Sequence, residues 1–470
     1  MATIDRSWDT TQVIADPGAV REVLPQGAPA VRFQSSRDAT FHRVFGYVML
    51  LYVFMFISRL PELVSWLHIG LILQPVLLIG LVMTKETTVL LRVRPARWLL
   101  VLTVWIGVCV PFSLWPGGSF QTLIKTILSL LMVAYILAFT QSIRDLMRLL
   151  AVTGWASSAI ALLSFFTSTA INNRQGLGGS ASLADPNFFA TYLLTGLACL
   201  CLTVAQGRGF ARIFSLVLIP LNVYGVLRSG SRAGLLTLVS GLIMFMVYGS
   251  KKQRAALLVA CFAGLALSTV YLPDKVKDRL TDWFAPGAAR AFFAPESAER
   301  ASVESDQDIG VTTAEASSEA RLYLLRRSLI LTAKNPIFGV GPDQFPEAET
   351  RDAEENGGHG LWHASHNTYT QMSSETGIAG LVLFVGALYW SYSGLSAIRK
   401  NGPTREIRQI ALFLQTAYFM LLVGAFFLSL GYGGLLFAMI GFSAAFKRAV
   451  RSYVEDSNPQ ALQPKMSLAV

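Results

Sequence analysis

Polar and apolar positions fall along this chain in blocks. Apolar runs occupy about 44–60, 65–83, 98–114, 122–140, 149–169, 187–205, 211–227, 233–249 and 255–271, and three more follow at about 377–397, 409–428 and 431–446. Each is close to the roughly 20 residues that a helix needs to cross about 30 Å of hydrocarbon. The pattern therefore predicts an all-α integral membrane protein with about 12 transmembrane helices. Residues 44–271 hold spans 1–9 and 377–446 hold spans 10–12. Polar tails of 1–43 and 447–470 flank them, the first without the apolar core of a cleavable signal peptide. One long polar insert, 272–376, separates spans 9 and 10.

Charge orients the spans. Lys85, Arg92, Arg94 and Arg97 share one connection; Arg144 and Arg148, Arg208 and Arg212, Lys251, Lys252 and Arg254, and Arg399, Lys400, Arg405 and Arg408 fill alternate later ones. Short cytoplasmic loops accumulate Lys and Arg, so all of these lie inside if both termini are cytoplasmic. Arg174, Arg228 and Arg232 then stand on the outer side, against the rule, and need another reason to be there. Arg59 and Lys125, near outer helix ends, are weaker cases of the same kind.

The insert is the one acidic region. Its first part is rich in Ala, Ser and Glu and reads as a mobile stretch; Asp306-Gln307-Asp308 lies there and is discarded as a metal dyad. In its second part, Ser317 or Ser318 is expected to cap a helix whose apolar stripe contains Leu322, Leu325 and Leu329, with Arg321 and Arg326, ended by Pro336.

Composition excludes more than it adds. Hydrophobic residues make up 53% and charged residues 14%, against roughly 25% charged in soluble domains. The net charge of +10 sits mostly in short loops and reads as topology charge, with no nucleic-acid role. Cys109, Cys199, Cys201 and Cys261 all fall in apolar runs and offer neither a disulfide framework nor a metal spacing.

Three constellations carry candidate chemistry. Asp185-Pro186-Asn187, after Arg174 and the glycines Gly176, Gly178 and Gly179, places a cap and a proline at the start of the sixth span, where free N–H groups favour an anion; an ordinary capped helix is the plain alternative. Arg228 and Arg232 flank a tight outer turn and match phosphate oxygens, or else snorkel to lipid phosphate. In the insert, His366 beside Asn367 and ahead of Glu375 suits a general base. His359, His363 and His366 also have a loose metal spacing, although without a cysteine or a clear carboxylate ligand, and solvated loop histidines are the third option. No P-loop, dinucleotide fingerprint, zinc-protease helix or Gly-x-Ser-x-Gly elbow is present in context.

Arg174, Asp185-Pro186-Asn187, Ser231-Arg232-Ala233-Gly234, Arg321, Asn335-Pro336-Ile337-Phe338-Gly339-Val340-Gly341, His366-Asn367-Thr368-Tyr369 and Glu375-x-Gly377-Ile378-x-Gly380-Leu381, in this order, resemble the O-antigen ligase/polymerase superfamily of bacterial membrane glycosyltransferases. The resemblance covers about 98–445. It implies a GT-C-type inner-membrane enzyme with its insert in the periplasm. The implied donor is an undecaprenyl-diphosphate-linked glycan, with no cofactor or obligatory metal, and the acceptor is a glycan, a lipid A core or a protein. By motif, His366 would activate the acceptor hydroxyl, and Arg174, Arg232 and Arg321 would bind the diphosphate. Asp185, Asn187, Arg228, Asn367 and Glu375 would support them. Ligase or polymerase is preferred over protein O-oligosaccharyltransferase. The rival from another class is a polysaccharide or lipid transporter, favoured by Pro220 and Asn222 inside the seventh span.

Overall fold

The computed structural model describes residues 36–63, 69–167, 175–180, 183–255, 258, 314–357 and 360–457. All regular structure among them is helical. The helices are α1 (Ser36–Ser58), α2 (Leu60–Leu63), α3 (Ile69–Met83), α4 (Arg94–Cys109), α5 (Pro116–Phe139), α6 (Ile143–Thr167), α7 (Pro186–Gln206), α8 (Gly209–Arg228) and α9 (Arg232–Tyr248). After the insert's outer part come α10 (Ala314–Lys334), α11 (Phe345–Glu355), α12 (Thr368–Asn401), α13 (Arg405–Gly424) and α14 (Gly434–Ser457).

Eight of the described helices, α1, α4 to α8, α12 and α13, are long and apolar enough to cross a membrane; α3 and α9 are shorter apolar helices. Eleven of the predicted apolar runs coincide with helices. Of the run at 255–271 only residues 255 and 258 are described, and Arg174, Cys261, Asp306 to Asp308 and His359 lie outside the described residues.

The core forms where α14 meets α5, α6, α12 and α13, and where α7 meets α6 and α13. Tyr135, Phe189, Phe384, Tyr418, Phe437, Phe442 and Phe446 are all fully buried there. With lipid on the outside there is little hydrophobic gain in pairing helices, so close backbone approach through small residues matters more. Gly196 on α7 shows it: a Cβ at that position would collide with the Ser157 side chain of α6. Asn222 of α8 is used in the same seam, accepting from the Ser157 hydroxyl (3.0 Å) and donating to that of Ser158 (2.5 Å). It is a helix-to-helix lock.

The two ends of the bundle differ. At one end Glu86, 2% exposed, pairs with Arg92 and Arg448 at 3.0 and 2.8 Å, and the Arg399 guanidinium lies 3.8 Å above the Tyr248 ring centroid. At the other end gather α2, the 110–115 turn, the loops at 175–180, 183–185 and 229–231, the described part of the insert and the 425–433 turn. Hydrogen bonds join them: Leu114 N–H to Val340 O, Gln175 N–H to Arg228 O, and Thr368 N–H to Ala425 O.

Four expectations need correction. Ser317 and Ser318 do not cap α10, because it is already helical from Ala314, through the helix-favouring Ala and Glu that precede them. Its buried stripe is Leu324, Ser328 and Leu331, not Leu322, Leu325 and Leu329, and Leu329 is exposed. The tenth helix starts at Thr368, nine residues before the predicted 377; Gly377, at φ 72° and ψ −179°, is a break inside it. Residues 36–43 and 447–457, assigned to tails, are helical extensions of α1 and α14.

Candidate active site

The insert returns to the bundle by docking its Asn335-Pro336-x-x-Gly-x-Gly segment into the break in α12. A helix interrupted at Gly377 leaves carbonyls without helical partners. Val340 N–H donates to Ser374 O (2.8 Å), Gly341 N–H to Glu375 O (3.1 Å) and Ile378 N–H to Pro336 O (2.9 Å), while the Trp105 indole of α4 donates to Thr376 O (2.8 Å). Gly339, Gly341 and Gly377 all have positive φ, and a Cβ on Gly377 would overlap the Ile337 carbonyl. Glycine is required here for both conformation and space.

Glu375, 1% exposed, faces away from solvent into this junction. Its carboxylate accepts from Asp343 N–H (3.0 Å) and Phe345 N–H (3.4 Å), so it caps the first turn of α11. Asp343 itself adopts φ 61° and accepts from the Thr122 hydroxyl at 3.4 Å. Burial pushes its carboxyl upward, opposed by the charge of Lys125 and by Thr122. The motif thus positions α10 and α11, and α10 in turn is held to α12 by a Thr332–Ser373 hydroxyl pair at 2.8 Å. Arg327 and Lys334 both pair with Asp352, clamping α10 to α11.

That docking delivers Arg321. Four groups from four separate segments lie within electrostatic range of one another through Arg321: Asp185 at the start of α7 and Arg232 at the start of α9 both act on Arg321 of α10, and Arg321 and Asp185 act on His366 ahead of α12. Asp185 caps α7, accepting from Asn187 N–H at 2.6 Å and Phe188 N–H at 3.3 Å. Ser231 caps α9 through Gly234 N–H (2.9 Å) and also donates its hydroxyl to Asn187 Oδ1 at 2.6 Å, tying the two helix starts together. Asn367 caps α12 through the N–H groups of Tyr369 (3.0 Å) and Thr370 (3.2 Å). Three capped N-termini therefore open onto one place, and each carries the positive end of a helix dipole.

Burial pulls the Arg321 guanidinium below its ordinary value; the nearby Arg232 charge adds to this and Asp185 opposes it. His366 is pulled from 6.5 to about 4, first by burial, then by Arg321, with His363 adding to the shift and Asp185 opposing it. Its ring is consequently neutral at physiological pH. Its Nδ1 is buried with no hydrogen-bond partner among the described residues. The backbone at His366 is left-handed, φ 49°, a conformation that costs a non-glycine residue stability. It is held by its N–H donating to the Ser429 hydroxyl at 3.1 Å.

Sequence-derived residues divide accordingly. Asp185, Arg232, Arg321 and His366 come together, and Asn187 and Asn367 sit directly behind them. Glu375 supports the scaffold. Arg228 ends α8 with its carbonyl bonded to Gln175 N–H. Arg174 and His359 lie outside the described residues, and His363 is exposed, with its ring centroid 6.4 Å from that of His366. No group of three or more His, Cys, Asp or Glu suited to a metal occurs among the described residues.

Ser429 and Gln371 were missed from the sequence, and Thr368 was read there only as part of the His366-Asn367-Thr368-Tyr369 motif. Thr368 and Gln371 fasten the 425–433 turn to the start of α12, through Thr368 Oγ1 to Leu428 O (2.6 Å), Leu430 N–H to Thr368 Oγ1 (2.9 Å) and Gly431 N–H to Gln371 Oε1 (3.2 Å). The available signal was the Ser-Leu-Gly-Tyr-Gly-Gly run at 429–434, too polar and glycine-rich for the end of a span.

A family model described as O-antigen ligase matches residues 213–385, a stretch that contains Arg228, Arg232, Arg321, His366, Asn367 and Glu375. It supports the O-antigen ligase/polymerase resemblance carried by the motifs. No curated protein matches the chain. Among solved structures, one described as "Structural coordination of polymerization and crosslinking by a peptidoglycan synthase complex" is similar at 16% identity and a TM-score of 0.41, over 78% of this chain and 97% of that one. A likeness at that score assigns neither fold nor activity.

Proposed function

We propose, starting from the O-antigen ligase match over 213–385, that this chain is a membrane glycosyltransferase that takes its sugar from a lipid-diphosphate-linked saccharide and works on the periplasmic side. The observation that carries the proposal is the meeting of Arg232, Arg321, Asp185 and His366 from four segments far apart in sequence. Two arginines and three helix N-termini near one neutral imidazole suit the binding of a diphosphate.

In the proposed reaction the acceptor hydroxyl attacks the anomeric carbon of the donor. The bond from that carbon to the diphosphate oxygen breaks, and the leaving group is the lipid diphosphate. Arg232 and Arg321, with Arg174 as a further candidate, hold its growing charge, and preorganised cations at that point lower the barrier without a nucleophile on the enzyme. His366 takes the proton released by the acceptor hydroxyl and later gives it to water. A neutral ring at physiological pH is in the right state to accept it. Asp185 orients Arg321, and Asn187 and Asn367 fix the helix starts. In this scheme His366 and the arginines are enough, and no metal or cofactor takes part.

The orientation, with both termini cytoplasmic, rests on the charge pattern, and the GT-C designation rests on the resemblance. Ligase, polymerase and protein-glycosylating activities would share this site and differ in acceptor. Glycan analysis of a deletion strain separates them: unattached long chains mark a ligase, short chains a polymerase, and unglycosylated proteins a protein transferase. Complementation by His366→Ala or Arg232→Ala that restored the wild-type glycan would overturn the proposal.

A further inference from the structure

A second feature lies at the opposite end of the bundle from His366. Between α4 and α12 runs a groove of about 420 Å³, lined by Arg94, Arg97, Trp98, Val101, Leu383 and Trp390. Arg94 opens α4, and Trp390 lies beyond the break at Gly377 on the part of α12 that ends in Arg399 and Lys400, the end that the charge pattern puts at the far headgroup layer.

Its chemistry is graded along the helices. Arg94 and Arg97 stand at the rim of the groove, and the Arg94 guanidinium lies 4.8 Å from the Trp390 ring centroid. Val101 and Leu383 are each seven residues inward on their helices from Arg94 and Trp390, about 10 Å deeper. The floor is the Trp98 ring, which lies flat against α12 because residue 386 is glycine; a Cβ there would strike the six-membered part of that ring. Lys447 of α14 reaches the same end, within electrostatic range of Arg94 and with its stem against Gly394.

We propose that this groove is a binding site for an anionic phospholipid, with the phosphate head between Arg94 and Arg97 and the upper acyl chain on Trp98, Val101 and Leu383. Arginines at an inner helix end are by themselves only topology charge. Here they border a concave apolar channel that runs from a tryptophan-anchored cation inward, the shape and charge order of one lipid molecule. A zwitterionic lipid would fill the channel but gain less from the cations, and free phosphate would use the cations but leave the channel empty. The site involves none of the residues of the proposed transfer chemistry.

Native mass spectrometry of the purified full chain, with phosphatidylglycerol or phosphatidylcholine added at equal concentration, tests this directly. Wild type should retain phosphatidylglycerol preferentially, by roughly fivefold for each arginine engaged. Inorganic phosphate at millimolar concentration should not displace it. Arg94→Gln combined with Arg97→Gln should remove the preference, and Gly386→Ala, which displaces Trp98 but keeps both cations, should lower retention of both lipids. Equal retention of the two lipids by wild type, displacement by phosphate, unchanged preference in the double arginine variant, or undiminished retention of both lipids by Gly386→Ala would overturn the proposal. Because the readout is bound lipid, a protein inactive in sugar transfer would still give a clear answer.

Discussion

His366 concentrates the residue-scale consequences. Its pKa is lowered, so the free protein holds it neutral down to about pH 4. The acid limb of kcat/KM, which reports the free enzyme, should therefore fall near pH 4 and not near 6.5. A bound diphosphate between Arg232 and Arg321 offsets their charge, so the acid limb of kcat should lie higher than that of kcat/KM. A kcat/KM limb at or above 6.5 would contradict this environment for the ring. The stability consequence has a definite sign. Between about 6.5 and 4 the unfolded chain binds a proton that the folded chain does not, so this residue makes folding less favourable as pH falls through that window. Replacing Arg321 by Gln removes a repelling charge, and the His366 ring should then titrate at a higher pH, a shift measurable by NMR of labelled histidine. His366→Ala should lower transfer by about 10²–10⁴-fold, the usual worth of a general base, while membrane-extracted yield stays near wild type.

At the level of elements, the break in α12 and the insert segment docked into it determine whether Arg321 reaches the pocket. Gly377→Ala forces a left-handed alanine and a clash with the Ile337 carbonyl, and should cost about 2 kcal/mol or more. Thermal unfolding in detergent should show it as a lowered midpoint with lost activity. Asn367→Ala removes one cap, for about 1 kcal/mol, and should reduce kcat more than its stability loss explains, because it loosens the start of α12 next to His366. Positions of elements were mostly legible in the sequence, since long apolar runs permit little but helices. What failed is instructive. The predicted start of the tenth span at 377 was the point where apolar character resumes after the break, and the nine helical residues before it are polar because they line the junction. In α10 the rejected stripe Leu322, Leu325 and Leu329 looked as good as Leu324, Ser328 and Leu331. Packing of Leu324 and Leu331 against Val340, Phe345 and Ala348, with Thr332 bonded to Ser373 of α12, chooses between the two faces. Ser429 was invisible because its role is to receive one backbone N–H from a segment 63 residues away.

Across the whole molecule, charge is sorted between the two ends, and each end uses it differently. At the end away from His366, Glu86 is buried between Arg92 and Arg448 and joins the connection after α3 to α14. Glu86→Ala would leave two cations facing each other without their partner and should destabilise the bundle by about 3–5 kcal/mol, seen as loss of monodisperse protein after extraction. At the end bearing His366, Arg232 and Arg321 lie within electrostatic range of Asp185 beside the starts of α7, α9 and α12, and this cluster is the basis of the proposed donor site. The most direct measurement of that claim is release of lipid diphosphate from a lipid-diphosphate-linked oligosaccharide by the purified protein supplied with an acceptor. Wild type should turn over without any other protein, and His366→Ala and Arg321→Gln should each lose at least about 10²-fold while remaining folded. Release by both variants at the wild-type rate, or none from folded wild type with any glycan, lipid-core or protein acceptor, would contradict the account.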